Sequence, residues 1–343
     1  MTTSEERSTI YAVAERAGVS IATVSRVMRG TASVSPRTRD RVLAAASALH
    51  YLPSAAASQL ASHREASLGL VLPHIDGAYY SDLIVGFEEE AGRLDHSVAL
   101  VLANPRADAT RAVRHLAERV SGLAFMAHSS AGDELIADLS GPRRVITGAR
   151  RRVAGVASLR VASHDSAMRL TEHLLATGRR RLCFLGTTEP GSDIEERHAG
   201  FLAAHRQRGL DSLPSVDCTL DEEGGARAVQ LALARWQGID GFLCGNDLVA
   251  LSVLTELRSR GVTVPEDCAV VGWDDILTAR HITPALTTVR QPVRELGGRA
   301  AALLVHPGPA IEEVLASEIV HRGTCCVSGS LGSTTFDHPD APR

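Results

Sequence analysis

The chain has 343 residues, 44% of them apolar, with a formal net charge of −4. That length exceeds one ordinary domain, and the apolar share permits a real core. All 36 basic residues are Arg, which excludes Schiff-base chemistry and a Walker-type phosphate loop, since both need Lys.

Two short helical patterns open the chain. Ile10 to Ala17 places Val13 and Ala17 four residues apart, and Gly18 follows where a tight turn needs positive φ. Ser20 is a candidate N-cap for a second helix from Ile21 to Arg29. It turns Val24 and Val27 inward and leaves Ala22, Thr23, Ser25, Arg26 and Arg29 outside. Two short helices joined by a Gly-containing turn make a helix-turn-helix, whose second helix can enter the major groove. Ser35-Pro36 announces a third helix, with Val42, Ala45, Ala46 and Leu49 closing a three-helix core. Between Arg7 and Arg64, eight Arg stand against only Glu15 and Asp40, a local net of +6 in an acidic chain. A basic, hydroxyl-rich module of this kind has the footprint of a phosphate-backbone binder.

YAVAERAGVSIATVSRVM (11–28) and VSPRTRDRVLAAASALHYLPS (34–54) resemble the lac repressor/galactose repressor family of bacterial transcription regulators, and the resemblance continues to about residue 327. It implies base reading by Ile21, Ala22 and Arg26, with Arg26 the bidentate donor to guanine. It implies phosphate contacts from Thr9, Tyr11, Thr23, Ser25, Ser35 and Tyr51, and Arg29 is assigned a further one. Ala12, Arg29 and Ser54 depart from the family's usual Asp, Asn and Asn, so the operator is not copied from any relative beyond a palindrome of two half-sites. The resemblance makes Ser54 to Ala61 a hinge helix that orders on DNA, with Leu60 the minor-groove wedge. SAAASQLA is short, Ala-rich and marginal as an isolated helix. Two copies could pack closely through Ala57 while one Leu per chain wedges a base step.

After a polar joint, strand and helix patterns alternate. Strands are expected at 68–73, 98–104, 122–127 and 143–148, with helices from Ser81 to Leu94 and Ala109 to Arg119. The pattern then repeats. Helices run from Ser166 to Ala176, Ile194 to Arg208, Gly225 to Trp236 and Asp247 to Arg260, around strands at 181–186, 241–245 and 268–275. Such alternation argues for parallel sheets covered on both faces. The expected fold is therefore an all-α helix-turn-helix headpiece plus a two-lobed α/β effector domain of the periplasmic-binding-protein type, with Rossmann-like parallel sheets.

By residue, 1–53 is the headpiece and 54–66 the hinge and linker; 67–327 is the effector-binding and dimerisation domain. Its first lobe is about 67–162 with 291–318, its second about 163–290 with 319–327. Residues 328–343 form a Gly/Ser/Pro-rich disordered tail without Leu heptads, so the family's tetramers are not expected and a homodimer is. The six Cys, at 183, 218, 244, 268, 325 and 326, lack metal-ligand spacing, so buried thiols, no metal and no cofactor are expected. MTTSEERSTIYA has no cationic stretch leading into an apolar run, and no window reaches membrane-span length. A cytoplasmic protein without membrane partners follows.

RHAGF (197–201), GNDLVAL (245–251) and VGWDD (271–275) resemble the family's three sugar-contacting motifs. The resemblance assigns Arg197, Asn246 and Asp274 to the effector, with Trp273 and Tyr79 or Tyr80 lining the walls. An Arg donor facing an Asp acceptor suits a polyol. The residues also admit plainer readings: Asp247 as the N-cap of its helix, Asn246 as turn chemistry, Asp275 as a cap after its strand. Asp274-Asp275 as a catalytic or metal pair is set aside, because adjacent side chains diverge and no His or Glu stands at ligand spacing. HIDGAYYSDL (74–83) lacks the family's Asn-Pro; Ala149 replaces an acid, and Ala162-Ser163 replace Asp-Asn, which weakens the sugar assignment specifically. The expectation is a repressor that binds operator DNA and is switched by a small effector. The alternative is an α/β solute-binding protein or enzyme with an unrelated helical N-terminus. The first would need an export signal, the second a nucleophile, metal site or phosphate loop, and the sequence offers none of these.

Overall fold

The computed structural model describes residues 9–28, 34–51, 67–103, 108–127, 132–141, 144–148, 153–187, 192–307 and 312–325, in two compact units, Met1–Glu65 and Ala66–Arg343. The expectations for Arg29, Ser54, Ala57, Leu60 and Ala149, for the 54–66 hinge and for the 328–343 tail lie outside these residues.

Small side chains and caps shape the first unit. Helix α1 (Ile10–Ala17) starts at Thr9, whose hydroxyl accepts from the Ala12 amide at 3.3 Å. It stops at Gly18, at φ 61°, where the Gly18 and Val19 amides donate back to Glu15 and Ala14 carbonyls at 3.1 and 3.0 Å. This is a Schellman closure, and a Cβ at that φ would be strained. Ser20 Oγ accepts from the Thr23 amide at 3.2 Å to start α2 (Ile21–Met28). Ser35 does the same from Thr38 at 3.4 Å for α3 (Pro36–Ala48). Val13, Val24 and Val42, all fully buried, meet at the centre, and Ala14, Ala17, Ala45 and Ala46 let the three helices close around them. Arg41 Nη2 donates to the Ala17 carbonyl at 2.9 Å, so one of the arginines counted toward phosphate charge instead ties α3 to the end of α1.

The second unit carries two parallel sheets. Strands β1 (Ser67–Leu72), β2 (Ser97–Leu102), β3 (Gly122–Met126), β4 (Arg144–Gly148), β5 (Ala157–Val161) and β10 (Glu312–Leu315) form one, in the order β10-β5-β4-β3-β1-β2. The two-residue period of β1 sends Leu68, Leu70 and Leu72 to one face and Val71 to the other. The first face packs on α4 (Ala78–Arg93) and α12 (Val293–Val305), the second on α5 (Ala109–Ala117) and α6 (Asp133–Ser140). Strands buried on both faces explain why these runs read as continuous apolar stretches.

The other sheet has the order β6-β7-β8, from β6 (Leu182–Leu185), β7 (Gly241–Cys244) and β8 (Ala269–Val271). Helices α7 (Ser163–Ala176) and α8 (Asp193–Gln207) cover one face; α9 (Glu222–Arg235) and α10 (Asp247–Ser259) cover the other. Among the described residues the chain passes between elements of the two sheets three times: from β5 into α7, from β9 (Thr288–Arg290) into α12, and from β10 into β11 (Glu318–Val320). β9 and β11 pair antiparallel at these passages.

The helix expected from Ser81 begins at Ala78. Ser81 Oγ donates back to the Gly77 carbonyl at 3.3 Å rather than capping, so Tyr79 and Tyr80 sit in the first turn. α7 and α9 likewise start three residues ahead of the Ser166 and Gly225 expected, α9 because Asp221 Oδ1 accepts from the Gly224 amide at 2.7 Å. The short β9, β10, β11 and α11 (Leu277–His281) were not among the expected elements, being too short for a periodicity to register.

Candidate functional site

Two regions concentrate polar chemistry, one in each unit. In the headpiece, Val24 and Val27 bury the inner side of α2, which leaves Ile21, Ala22 and Arg26 exposed. Ile21 is 41% exposed and Tyr11 68%. Thr9, Ser20 and Ser35 stand at the starts of α1, α2 and α3, and Thr23 Oγ1 lies 3.0 Å from Ser20 Oγ. A capping hydroxyl that accepts from an amide retains its hydrogen, and helix N-termini favour anions. Ser25 is half-buried, as is Tyr51, which packs at the edge of the three-helix core.

In the second unit, a cavity of about 860 Å³ is bordered by Arg197, Asn246 and Asp274 from the three-stranded half and by His74, Tyr79 and Tyr80 from the six-stranded half. Arg197, only 2% exposed, lies on α8 below the Ser192 cap. Its Nη1 donates to the Gly245 carbonyl and its Nη2 to Asp193, the residue one helical turn earlier. The guanidinium lies 4.4 Å over the Trp273 ring, and its Nε has no protein partner. Asp274 Oδ1 accepts from Gln291 Nε2 at 2.7 Å. Burial pushes its carboxyl up to about 7, against the pull of Arg197 and Gln291. Asp274 and Asp275 hold φ at 111° and 56°, values that L side chains seldom adopt, and this turns the Asp274 carboxylate toward the cavity.

Asn246 is the N-cap of α10. Its Oδ1 accepts from the Val249 amide at 2.9 Å while Nδ2 donates to the Leu220 carbonyl at 2.9 Å. Capping therefore belongs to Asn246 and not to Asp247. Asp247 is fully buried, accepting from the Ile276 amide at 2.9 Å and the Thr288 hydroxyl at 2.6 Å. Burial, with Asp274 nearby, raises Asp247 to about 7. Gly272 makes room for it, since a Cβ there would stand 2.2 Å from Asp247 Oδ1.

The opposite wall is aromatic. Tyr79 and Tyr80 meet edge to face at 5.2 Å, and His74 lies 4.6 Å from Tyr80. Tyr79 Oη is buried without a protein hydrogen-bond partner. Burial pushes both phenols above their ordinary value, with Asp193 and Asp274 acting in the same direction, so both stay protonated donors.

Two expectations need correction here. Trp273 does not line the cavity; it is fully buried beneath Arg197, because the chain turns at Asp274 and sends only the carboxylate outward. Asp275 is no strand cap: it accepts from Arg280, Arg290 and Arg322, and although burial opposes ionisation these three guanidinium groups hold its carboxyl below the usual value. Tyr79 and Tyr80 both border the cavity. Sequence reasoning also missed His74, Asp193 and the α11 residues Leu277 and Thr278 on the cavity border. The four-residue spacing of Asp193 and Arg197 on one helix was the available signal. Arg160 on β5, paired with Glu312 at 2.7 Å and Glu196 at 3.2 Å, joins the two halves beside the cavity and gave no sequence signal.

Residues 9–54 match the family described as bacterial regulatory proteins, lacI family, and residues 171–325 match the periplasmic binding protein-like domain. The HTH-type transcriptional repressor PurR of Erwinia tasmaniensis is 31% identical over 308 residues, covering 87% of this chain and 89% of that protein. The lac repressor dimer bound to operator and the anti-inducer ONPF is 25% identical, with a TM-score of 0.83 over 93% of this chain and 99% of that one. The transcriptional regulator CelR–cellobiose complex is 26% identical, with a TM-score of 0.69 over 93% of this chain and 100% of that one. Helix-turn-helix, paired parallel sheets and these relatives agree: the chain belongs to the LacI family of bacterial transcriptional regulators, which are not enzymes.

Proposed function

We propose that the protein is a repressor that grips a palindromic operator as a dimer, its affinity set by a sugar or related polyol held in the cavity. The observation that carries the ligand reading is one pocket offering a fixed cation, Arg197, an acceptor, Asp274, and a buried phenol, Tyr79, with no protein partner for its hydroxyl. Vicinal hydroxyls both donate and accept, and a ring stacks on Tyr80, so a polyhydroxylated ring answers all of these at once. Cellobiose on CelR is a ligand of this chemistry.

Operator binding is supported by the outer face of α2. Arg26 donates in bidentate fashion to a guanine, Ile21 and Ala22 touch thymine methyls, and Thr9, Tyr11, Thr23, Ser25, Arg29, Ser35 and Tyr51 hold phosphates. The lac repressor dimer on its operator is the structural counterpart. The effector domain divides into lobes at the three passages, about 67–162 with 291–318 and 163–290 with 319–327, as the membership of the sheets supports. Ligand closure of the lobes acts on residues 54–66, separating the two hinge segments at Ala57 and withdrawing Leu60 from the minor groove. A dimer places two headpieces on two half-sites about one helical turn apart or a multiple of that.

Genomic footprinting with and without candidate sugars tests this reading. Two-fold symmetric footprints that weaken with one sugar are expected; footprints that strengthen with it, or asymmetric, sugar-blind occupancy, would end it.

A further inference from the structure

Away from the cavity, three donors converge where α7 ends against the chain leaving β11. His173 lies in the last turn of α7, His321 follows β11 directly, and Cys325 is buried four residues on. His173 Nε2 and Cys325 Sγ are 3.4 Å apart, the two imidazole centroids 4.5 Å apart, and one ligand atom from each residue falls within 4.8 Å of the others. We propose that His173, His321 and Cys325 form a three-ligand site for a borderline-soft transition-metal ion of the zinc class, with water in the fourth position.

Zinc–nitrogen and zinc–sulfur bonds of about 2.0–2.3 Å put neighbouring donors of a tetrahedron roughly 3.5 Å apart, which the His173–Cys325 pair already meets. His321 is solvent-exposed, so a small rotation of its ring closes the remaining gap and the same exposure gives an ion its way in. One thiolate with two imidazoles is a donor set that selects zinc-like ions over magnesium or calcium, which take oxygen. The sulfur also has an outer partner. Thr287 Oγ1 accepts from the Arg322 amide at 2.8 Å and donates to Cys325 Sγ at 3.2 Å, an outer partner of the kind that orients metal-bound sulfur. None of the three ligand residues borders the cavity. An ion here would clip the third passage between the sheets to α7, the helix that begins at the first.

The test uses the full-length chain stripped with chelator and titrated with Co²⁺, then with Zn²⁺ against a chromophoric chelator. A single equivalent per chain with a sulfur-to-cobalt charge-transfer band is expected, displaced by Zn²⁺, abolished in Cys325→Ser and His321→Ala, and kept in Cys326→Ser. His321→Ala, an exposed position, guards against misfolding of the buried Cys variant. Absence of stoichiometric binding, or a band that survives His321→Ala or moves with Cys326→Ser, would overturn the proposal.

Discussion

The outer face of α2 and the inner wall of the cavity solve opposite problems with similar residues. Arg26 stands on an exposed helix surface, whereas Arg197 is buried, held by Asp193 and the Gly245 carbonyl and stacked on Trp273. A surface that meets phosphates and base edges needs its donors in solvent until DNA arrives. A pocket must hold a charge in a fixed direction before a small ligand arrives, and a buried charge survives only when paired. The difference predicts that substitutions on α2 change affinity with little change in stability, while those in the pocket change both.

The largest expected effect breaks the pocket. Arg197→Ala leaves Asp193 without its partner and removes the cation over Trp273, at a cost of about 3 kcal/mol, the low end for a broken buried pair because Asp193 keeps some solvent. Urea unfolding should show it, and an unchanged midpoint would mean the pair is not held as described. Next comes Arg26→Ala, expected to weaken specific operator binding by about 1–3 kcal/mol while the urea midpoint moves far less than in Arg197→Ala. Arg41→Ala sharpens the contrast within the headpiece: losing the bond to the Ala17 carbonyl costs about 1 kcal/mol of headpiece stability, though Arg41 belongs to the same basic count.

A last effect is a pH slope. Asp247 and Asp274, both raised to about 7 by burial, bind protons more tightly folded than unfolded. Their stabilising contribution is complete below the ordinary carboxylate pKa and is lost as pH rises toward 7. Asp275, held low by its three arginines, acts in a separate window, losing its contribution only as pH falls below the usual carboxylate range. Because His173, His198, His205 and His321, lowered by burial, titrate with the opposite sign in the same window, the test is a difference: between pH 5 and 7.5, Asp274→Asn should lose less stability than the unsubstituted chain in melting curves. A slope indifferent to that substitution would remove Asp274 as its source.

What the sequence made legible follows from range. The headpiece is built from contacts a few residues apart, so Gly18, Ser20, Ser35-Pro36 and the Val13, Val24, Val42 spacing could be read directly and the helices fall where expected. The alternating sheet runs were legible for the same reason. The pocket was legible only in its motifs. Arg197, Asn246 and Asp274 do border one cavity, but Trp273 lies beneath it, covered by the Arg197 guanidinium from a distant helix, a contact no local pattern encodes. The bridge from Arg160 to Glu196 and the meeting of His173 with Cys325 span 36 and 152 positions, beyond any local pattern.

The central claim is that the ligand held by Arg197 and Asp274 sets the grip of the headpieces on DNA. Fluorescence anisotropy of the full-length protein on its footprinted operator, at fixed salt and with the identified sugar added, measures that coupling directly. A shift of about 5–150-fold in operator affinity, abolished in Asp274→Asn while sugar-free binding persists, is the predicted result. An affinity that does not move when the sugar demonstrably occupies the cavity would contradict it.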